Sequence, residues 1–236
     1  MEEALGMSFA GKRSMVSMKH VGLNVAADPF VNSAMTGANG GILVISADDP
    51  SMHSSQNEQD SRYYAAFAFV PILEPTDQQE AYDMARYGFE LSEKHGIPVM
   101  LRMVTRLSHS RAVVEVEKEY TEQNKLKFPE QLPQWVLMPA NSKRRYVQLL
   151  KDYDEMRNVS ETSPFNNYRE GTDKSMGIIV SGIAANYLDE LFPGGCPFPV
   201  LKISQYPLPT GLISKLVDET DSLMVIEEGQ PFIEQK

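Results

Sequence analysis

Short apolar, β-rich runs alternate with amphipathic helical stretches along this chain, and that alternation limits the fold more than any other feature. Ser14–Met18 (SMVSM), Gly41–Ala47 (GILVISA) and Pro98–Thr105 (PVMLRMVT) read as strands, with Ile72-Leu73 as a short fourth. The clearest helix is Thr76–His95. Thr76 and Gln79 have the spacing of a capping box, and Ala81, Met84, Ala85, Gly88 and Leu91 fall on one face. Lys94, His95 and Gly96 suit the helix end, the cations facing its negative pole and the glycine taking the left-handed position. Strand–helix–strand order of this kind predicts parallel strands in an α/β layer with flanking helices.

Beyond Arg106 the pattern loosens. Glu115, Glu117, Glu119 and Glu122 alternate with Lys118, Lys125 and Lys127, and Pro129 and Pro133 punctuate a solvated excursion. Asn141–Arg157 reads as a helix with Tyr146, Leu149, Leu150 and Tyr153 on one face, and the polar stretch Asn158–Lys174 reads as a linker. A smaller α/β unit follows, with strands at Met176–Ser181, Phe198–Ile203 and Ser222–Ile226 and helices at Gly182–Leu191 and Thr210–Asp218. The expected division is 1–120, a connector over 121–174, and 175–236.

Charge and cysteine content exclude several functions. Twenty-two Lys and Arg against 32 Asp and Glu give −10, which disfavours nucleic acid as a partner because phosphate contacts need clustered cations. Lys143-Arg144-Arg145 is too small a cluster to reverse this. The longest apolar run, Ala65–Leu73, has nine residues against the ~20 of a membrane span, so no membrane segment is expected. A single cysteine, Cys196, makes neither an intrachain disulfide nor an iron–sulfur cluster, so any cluster lies on another segment or chain. With an acidic start, Met1-Glu2-Glu3, a cytoplasmic protein is expected.

No G-x-G-x-x-G, Walker A or H-E-x-x-H motif is present. Gly37-Ala38-Asn39-Gly40-Gly41 precedes a strand and so reads as a turn or helix cap rather than a phosphate loop. Two segments are unusually polar directly after strands, Met18–Pro29 (MKHVGLNVAADP) and Ala47–Arg62 (ADDPSMHSSQNEQDSR). Ligands of open α/β sheets bind outside the carboxyl ends of the strands, so both belong on one rim. Read blandly they are solvated caps, with Asn57 or Ser55 at a helix start.

MKHVGLNVAADP, GANGGILVISADDPSMHSSQNEQDSRYYA, ELSEKHGIPVMLRMVTRLSHSRAVVEV and the C-terminal MGIIVSGIAANYL, LKISQYPLP and MVIEEGQPFIEQ resemble the thiamine-diphosphate-dependent 2-oxoacid:ferredoxin oxidoreductases, in particular the indolepyruvate type. The resemblance covers nearly the whole chain and is weakest over 120–170. It implies a pyrimidine-binding domain followed by a smaller transketolase-C-like domain. It also implies oxidative decarboxylation of arylpyruvates to aryl-acetyl-CoA, with ferredoxin accepting the electrons. The cofactors so implied are thiamine diphosphate with Mg²⁺, shared with a domain outside this chain, and iron–sulfur clusters and CoA on other segments or subunits. Implied partners are that diphosphate-binding and ferredoxin-like region or a complementary subunit, a beta subunit and ferredoxin, in a homo- or hetero-oligomer.

Site roles implied by the resemblance follow. His20, His53 and Arg62 are candidate catalytic residues, with Arg62 also clamping the substrate carboxylate. Lys19, Gly22 and Asn24 are assigned to the cofactor, and Ser55, Gln56 and Asn57 to substrate; no metal ligand is assigned. Glu58 and Asp60 are read as helix-start carboxylates, Tyr63, Tyr64, Phe67 and Phe69 as core, and Arg106, His109 and Arg111 as reaching a partner domain. The family's pyrimidine-binding Glu aligns before Met1, and Glu2 and Glu3 are out of register with it. A fragment of a longer coding sequence is expected; a split subunit or a non-catalytic interaction module that keeps the fold also accounts for this. A relative acting on another 2-oxoacid is the remaining alternative.

Overall fold

The structure, a computed structural model, describes residues 1–117, 122–127 and 132–236. In chain order its elements are α1 (Glu2–Phe9), β1 (Ser14–Lys19), α2 (His20–Val25), α3 (Ala27–Thr36), β2 (Ile42–Asp48), α4 (Ser61–Ala68), β3 (Ile72–Leu73), α5 (Gln78–His95), β4 (Val99–Val104) and α6 (Thr105–His109). There follow α7 (Pro139–Glu161), β5 (Asn167–Arg169), β6 (Gly177–Ser181), α8 (Ala184–Leu191), β7 (Val200–Ile203), β8 (Gln205–Tyr206), α9 (Thr210–Glu219) and β9 (Leu223–Ile226). Lys118, Glu119 and Pro129 of the expected excursion lie outside the described residues.

The first sheet has the order β1-β2-β4-β3-β8. β1, β2, β4 and β3 run parallel, with Ser14 against Ile42, Leu43 against Val99 and Ile72 against Met100, while β8 pairs antiparallel to β3. β2 and β4 are buried almost throughout, as expected of central strands covered on both faces. α5 lies on them through Met84, Gly88, Leu91 and Ser92. A methyl group on Gly88 would stand 2.7 Å from Leu43 Cδ1, so the glycine sets how closely helix and sheet approach. Burial of Met84 and Leu91 contributes ~1.5–3 kcal/mol each.

The cap of α5 differs from the expected box by one residue. Asp77 accepts the Glu80 N–H at 2.8 Å, and Glu80 turns back to accept the Thr76 N–H at 2.7 Å. Asp wins the cap because its short carboxylate reaches the third N–H and is negative at the helix's positive end. Gly96 is left-handed, with φ 62°, and Gly37 closes α3 rather than cradling a phosphate.

The second sheet has the order β5-β7-β6-β9, parallel except for β5. Two features cross the expected boundaries. β8, from the C-terminal region, is a strand of the first sheet, and β5, from the expected linker, is a strand of the second. The polar run after Asn158 is therefore no free linker. α7 continues to Glu161, and Asn166 is buried with all four amide bonds made: its Nδ2 donates to the Ser160 and Gln205 carbonyls, each at 2.9 Å, and its Oδ1 accepts the N–H groups of Ser204 at 2.8 Å and Gln205 at 2.9 Å. Polarity alone does not separate a solvated segment from a hydrogen-bonded splint. On α7, Leu149 is buried and Leu150 is not. Tyr146 and Tyr153 pack edge-on against Phe69.

One core joins the two sheets. Ile42, Val44, Ile72, Met100 and Tyr206 of the first, with Leu23 and Phe30 of α2 and α3, pack in the same cluster as Ile179, Leu201 and Ile203 of the second and Phe232. Among the described residues no helix is long and apolar enough to cross a membrane.

Candidate functional site

The parallel strands bring three chain segments to one edge: Lys19 and His20 at the end of β1, Asp48 and Asp49 at the end of β2, and Thr105 after β4. Asp49 organises the loop that follows. Its buried carboxylate accepts the N–H of His53 at 3.2 Å and of Ser54 at 2.8 Å, and the hydroxyls of Ser55 and of Thr105, the latter at 2.7 Å. The Ser55 bond is the strongest influence, and with the other donors it outweighs burial and holds the Asp49 carboxyl far below its usual range. Ser51 and Met52 are left-handed, with φ 66° and 55°, a strain of order 1–3 kcal/mol each that the Asp49 bonds hold in place.

Lys19 Nζ donates to the Ser54 carbonyl at 2.9 Å and stands 3.5 Å from Asp49. The His20 ring is wholly buried. Its Nε2 meets the Asn57 carbonyl at 3.1 Å, which assigns the proton to Nε2, and Nδ1 has no partner. Asn24 donates to Gln59 at 3.2 Å on the exposed side. The rim thus brings together Lys19, His20, Asn24, His53, Ser55 and Asn57, with Gln56 exposed beside them. Gly22 instead packs on Met18, whose Cβ would lie 3.1 Å from an added methyl.

Arg62 stands elsewhere. It is wholly buried in the first turn of α4, under the rim. Its Nε donates to both Asp60 oxygens (2.9 and 3.0 Å), Nη1 to Glu227 at 2.6 Å, and Nη2 to Asp60 and to the Gln230 carbonyl at 2.9 Å. All three of its nitrogens bond the protein itself, so a substrate carboxylate has no open edge of this guanidinium in the structure. Asp60 caps α4 through the Arg62 N–H at 3.0 Å. It takes the helix-start role in place of Asn57 or Ser55, while Glu58 bonds the Ser51 N–H at 2.9 Å.

Beside Arg62 lies Arg102, a group that the sequence reading passed over. The signal was available: an arginine in the middle of an apolar strand, VMLRMV. Its Nε donates to Asp48 at 2.7 Å, Nη1 to Glu74, and Nη2 to the Glu228 carbonyl at 2.9 Å. Tyr206 donates to Glu74 at 2.7 Å. Burial works against the charge of both arginines, but Glu74 and the neighbouring aspartates outweigh it and keep both protonated. For Asp60 burial likewise pulls the carboxyl up, and Arg102 and Arg62 hold it below the ordinary value. Among the described residues no group of three or more His, Cys, Asp or Glu side chains is placed to hold a metal ion.

Between rim and cluster lies a cavity of about 260 Å³ lined by Pro50, Ser51, His53, Thr105, Arg106, Glu227, Glu228 and Gly229. It sits where the ends of β2, β4 and β9 converge, so both sheets contribute. Arg106 reaches the C-terminal unit of its own chain, 3.7 Å from Glu228 and with its guanidinium 5.3 Å from the Tyr187 ring centre. His109 and Arg111 are exposed. Of the aromatic residues read as core, Phe67 is 73% exposed, whereas Tyr63 packs on Phe232.

The architecture is shared with transketolases. A structure described as split gene transketolase, inactive beta4 tetramer, superposes with a TM-score of 0.56 at 14% identity, over 97% of this chain and 62% of that one. Transketolase from Leishmania mexicana gives 0.52 at 10% identity, over 92% and 27%. The likeness defines a transketolase-like α/β fold.

The chain belongs to the thiamine-diphosphate-binding family of the pyruvate flavodoxin/ferredoxin oxidoreductases, whose description reads "Pyruvate flavodoxin/ferredoxin oxidoreductase, thiamine diP-bdg" and which residues 1–171 match. Its curated relatives include indolepyruvate oxidoreductase subunit IorA of Archaeoglobus fulgidus, 44% identical over 239 residues. The subunits of the same name from Methanothermobacter thermautotrophicus and Pyrococcus horikoshii are each 41% identical, over 239 and 243 residues. These alignments cover 99–100% of this chain and 38–39% of the relatives, so the chain spans under two-fifths of their length.

Proposed function

We propose that this chain forms the pyrimidine-side and substrate-side part of a thiamine-diphosphate-dependent oxidoreductase that decarboxylates arylpyruvates of the indolepyruvate type to aryl-acetyl-CoA, with ferredoxin as electron acceptor. Relatives at 41–44% identity that are named indolepyruvate oxidoreductase subunits support the substrate class. The single structural observation that carries the reading is the meeting of the β1, β2 and β4 ends on one polar rim, where Lys19 holds the loop that Asp49 orders.

When bound, thiamine diphosphate supplies the electron sink for decarboxylation. Lys19 and Asn24 would hold the ring edge of the cofactor, with His20 behind them fixing the loop through the Asn57 carbonyl. Ser55, Gln56 and Asn57 offer polar contacts to the oxoacid, with His53 as a proton donor at the mouth of the cavity. Arg62, whose three nitrogens are held by its own chain in this structure, is assigned to the carboxylate through an exchange of partners, because a guanidinium edge matches it bidentately. The diphosphate, its Mg²⁺, the iron–sulfur clusters and CoA belong to other segments or a complementary subunit.

The test has two parts. Thiamine diphosphate with Mg²⁺ should raise the stability of the assembled protein by ~2.7 kcal/mol at 100 times Kd, read as a shift in Tm. The chain joined to its complementary subunits should reduce a viologen dye with indole-3-pyruvate and CoA. Turnover with pyruvate alone would assign a different 2-oxoacid. Neither turnover nor a cofactor-linked rise in Tm would leave an interaction module.

A further inference from the structure

One carboxylate separates the buried arginines from the cavity. Arg62 has no exposed surface and lines none of the cavity wall, whereas Glu227, which pairs with it at 2.6 Å, does. Glu227 also closes its own segment by accepting the Ile233 N–H, at 3.0 and 3.1 Å from its two oxygens. The segment Glu227–Ile233 then lies over both guanidinium groups. Its Gln230 carbonyl accepts from Arg62 and its Glu228 carbonyl from Arg102, each at 2.9 Å, while the Gln230 N–H donates to Asp60 at 3.2 Å. The backbone comes so close that an added methyl on Gly229 would stand 2.7 Å from Asp60 and 2.9 Å from Arg102.

So arranged, the cavity presents its carboxylates to an incoming anion and keeps the Arg62 cation behind them. Glu227 and Glu228 both line it, and Glu228 engages Arg106, which lines it too. The cation of matching geometry is one side chain further in, with its outward donor filled by a carboxylate of the same chain. Exchange of one carboxylate for another at Arg62 Nη1 conserves the ion pair. The cost is that of undocking a short segment, and a ligand that favours the open state supplies it.

We propose that Glu227 is an internal surrogate for the substrate carboxylate: the segment Glu227–Ile233 latches Arg62, and a 2-oxoacid binds by replacing Glu227 there. The inference rests on the assignment of Arg62 to the substrate carboxylate. Glu227 is a positioning residue, acting on substrate through Arg62.

Phenylpyruvate binding to the 236-residue chain is measured by calorimetry, and amide exchange of Ile233 and Glu234 by mass spectrometry, at constant ionic strength with chloride as control anion. Phenylpyruvate, and not chloride, should speed exchange of both amides about tenfold. Glu227→Gln, which keeps an oxygen for the Ile233 N–H, should bind phenylpyruvate about tenfold tighter than wild type. Arg62→Lys separates the two claims. If it binds phenylpyruvate as wild type does, the assignment of Arg62 fails and the latch falls with it. If it loses binding while Glu227→Gln matches wild type and the Ile233 amide stays protected at saturation, Arg62 stands and the latch is overturned. No binding by either wild type or Glu227→Gln overturns it as well, since freeing Arg62 then opens no site.

Discussion

Arg102 is the residue on which most of the buried charge depends. It pairs with Asp48 and Glu74, lies 3.6 Å from Asp60, and holds the Glu228 carbonyl. Arg102→Met would leave these carboxylates buried with one guanidinium instead of two. Removing one partner from such a group costs ~3–5 kcal/mol, so urea unfolding should show a loss of that order. Arg102→Lys keeps the charge but not the fork of donors, and should lose less. Gly229 is the second sensitive residue. Its φ of 110° and the 2.7 Å contact of an added methyl with Asp60 make Gly229→Ala destabilising by ~1–3 kcal/mol, measured in the same titration.

At the scale of elements, the loop after β2 is held by one ionised group. Asp49 has a folded-state pKa far below its unfolded value, and Asp60 at the start of α4 is also depressed. Both carboxylates bind fewer protons folded than unfolded in the acid range. Their stabilisation is therefore complete above pH ~4–5 and is lost as pH falls through the folded values. Chemical unfolding followed from pH 6 to pH 2 should show an acid limb, and Asp49→Asn should flatten it. The limb belongs to this loop because four donors converge on Asp49. Much at this scale was legible in the sequence. The β-rich runs at 14–18, 41–47, 98–105 and 176–181 are strands, since apolar runs bounded by turn residues have few alternatives. The buried use of Asn166 and the pairing of Arg62 with Glu227 were not legible. Both depend on contacts between residues about 40 and 165 positions apart, which periodicity does not encode. Arg62 looked like a rim residue because its neighbours are one.

The molecule as a whole behaves as a single body because its two sheets share a core and exchange a strand. Ile203 ends β7 in the second sheet, and Gln205 begins β8 in the first, with Ser204 alone between them. Unfolding should therefore be one cooperative transition. Trp135, whose ring centre lies 4.0 Å from that of Phe9, reports on the N-terminal unit by fluorescence, and far-UV circular dichroism reports on the whole. Coincident denaturant curves are expected; two separated transitions would mean that the units fold independently.

The shared strand also sets a timetable. Ile72 pairs with Tyr206, a separation of 206 − 72 = 134 residues. As the ribosome delivers the chain from its N-terminus, β3 is an open edge until residue 206 emerges, and closing so long a loop is slow relative to local folding. Over that interval the growing chain carries an unpaired apolar strand edge of the kind on which nascent chains stick to one another. The protein's vulnerable moment thus falls in its synthesis, before the finished sheet conceals that edge.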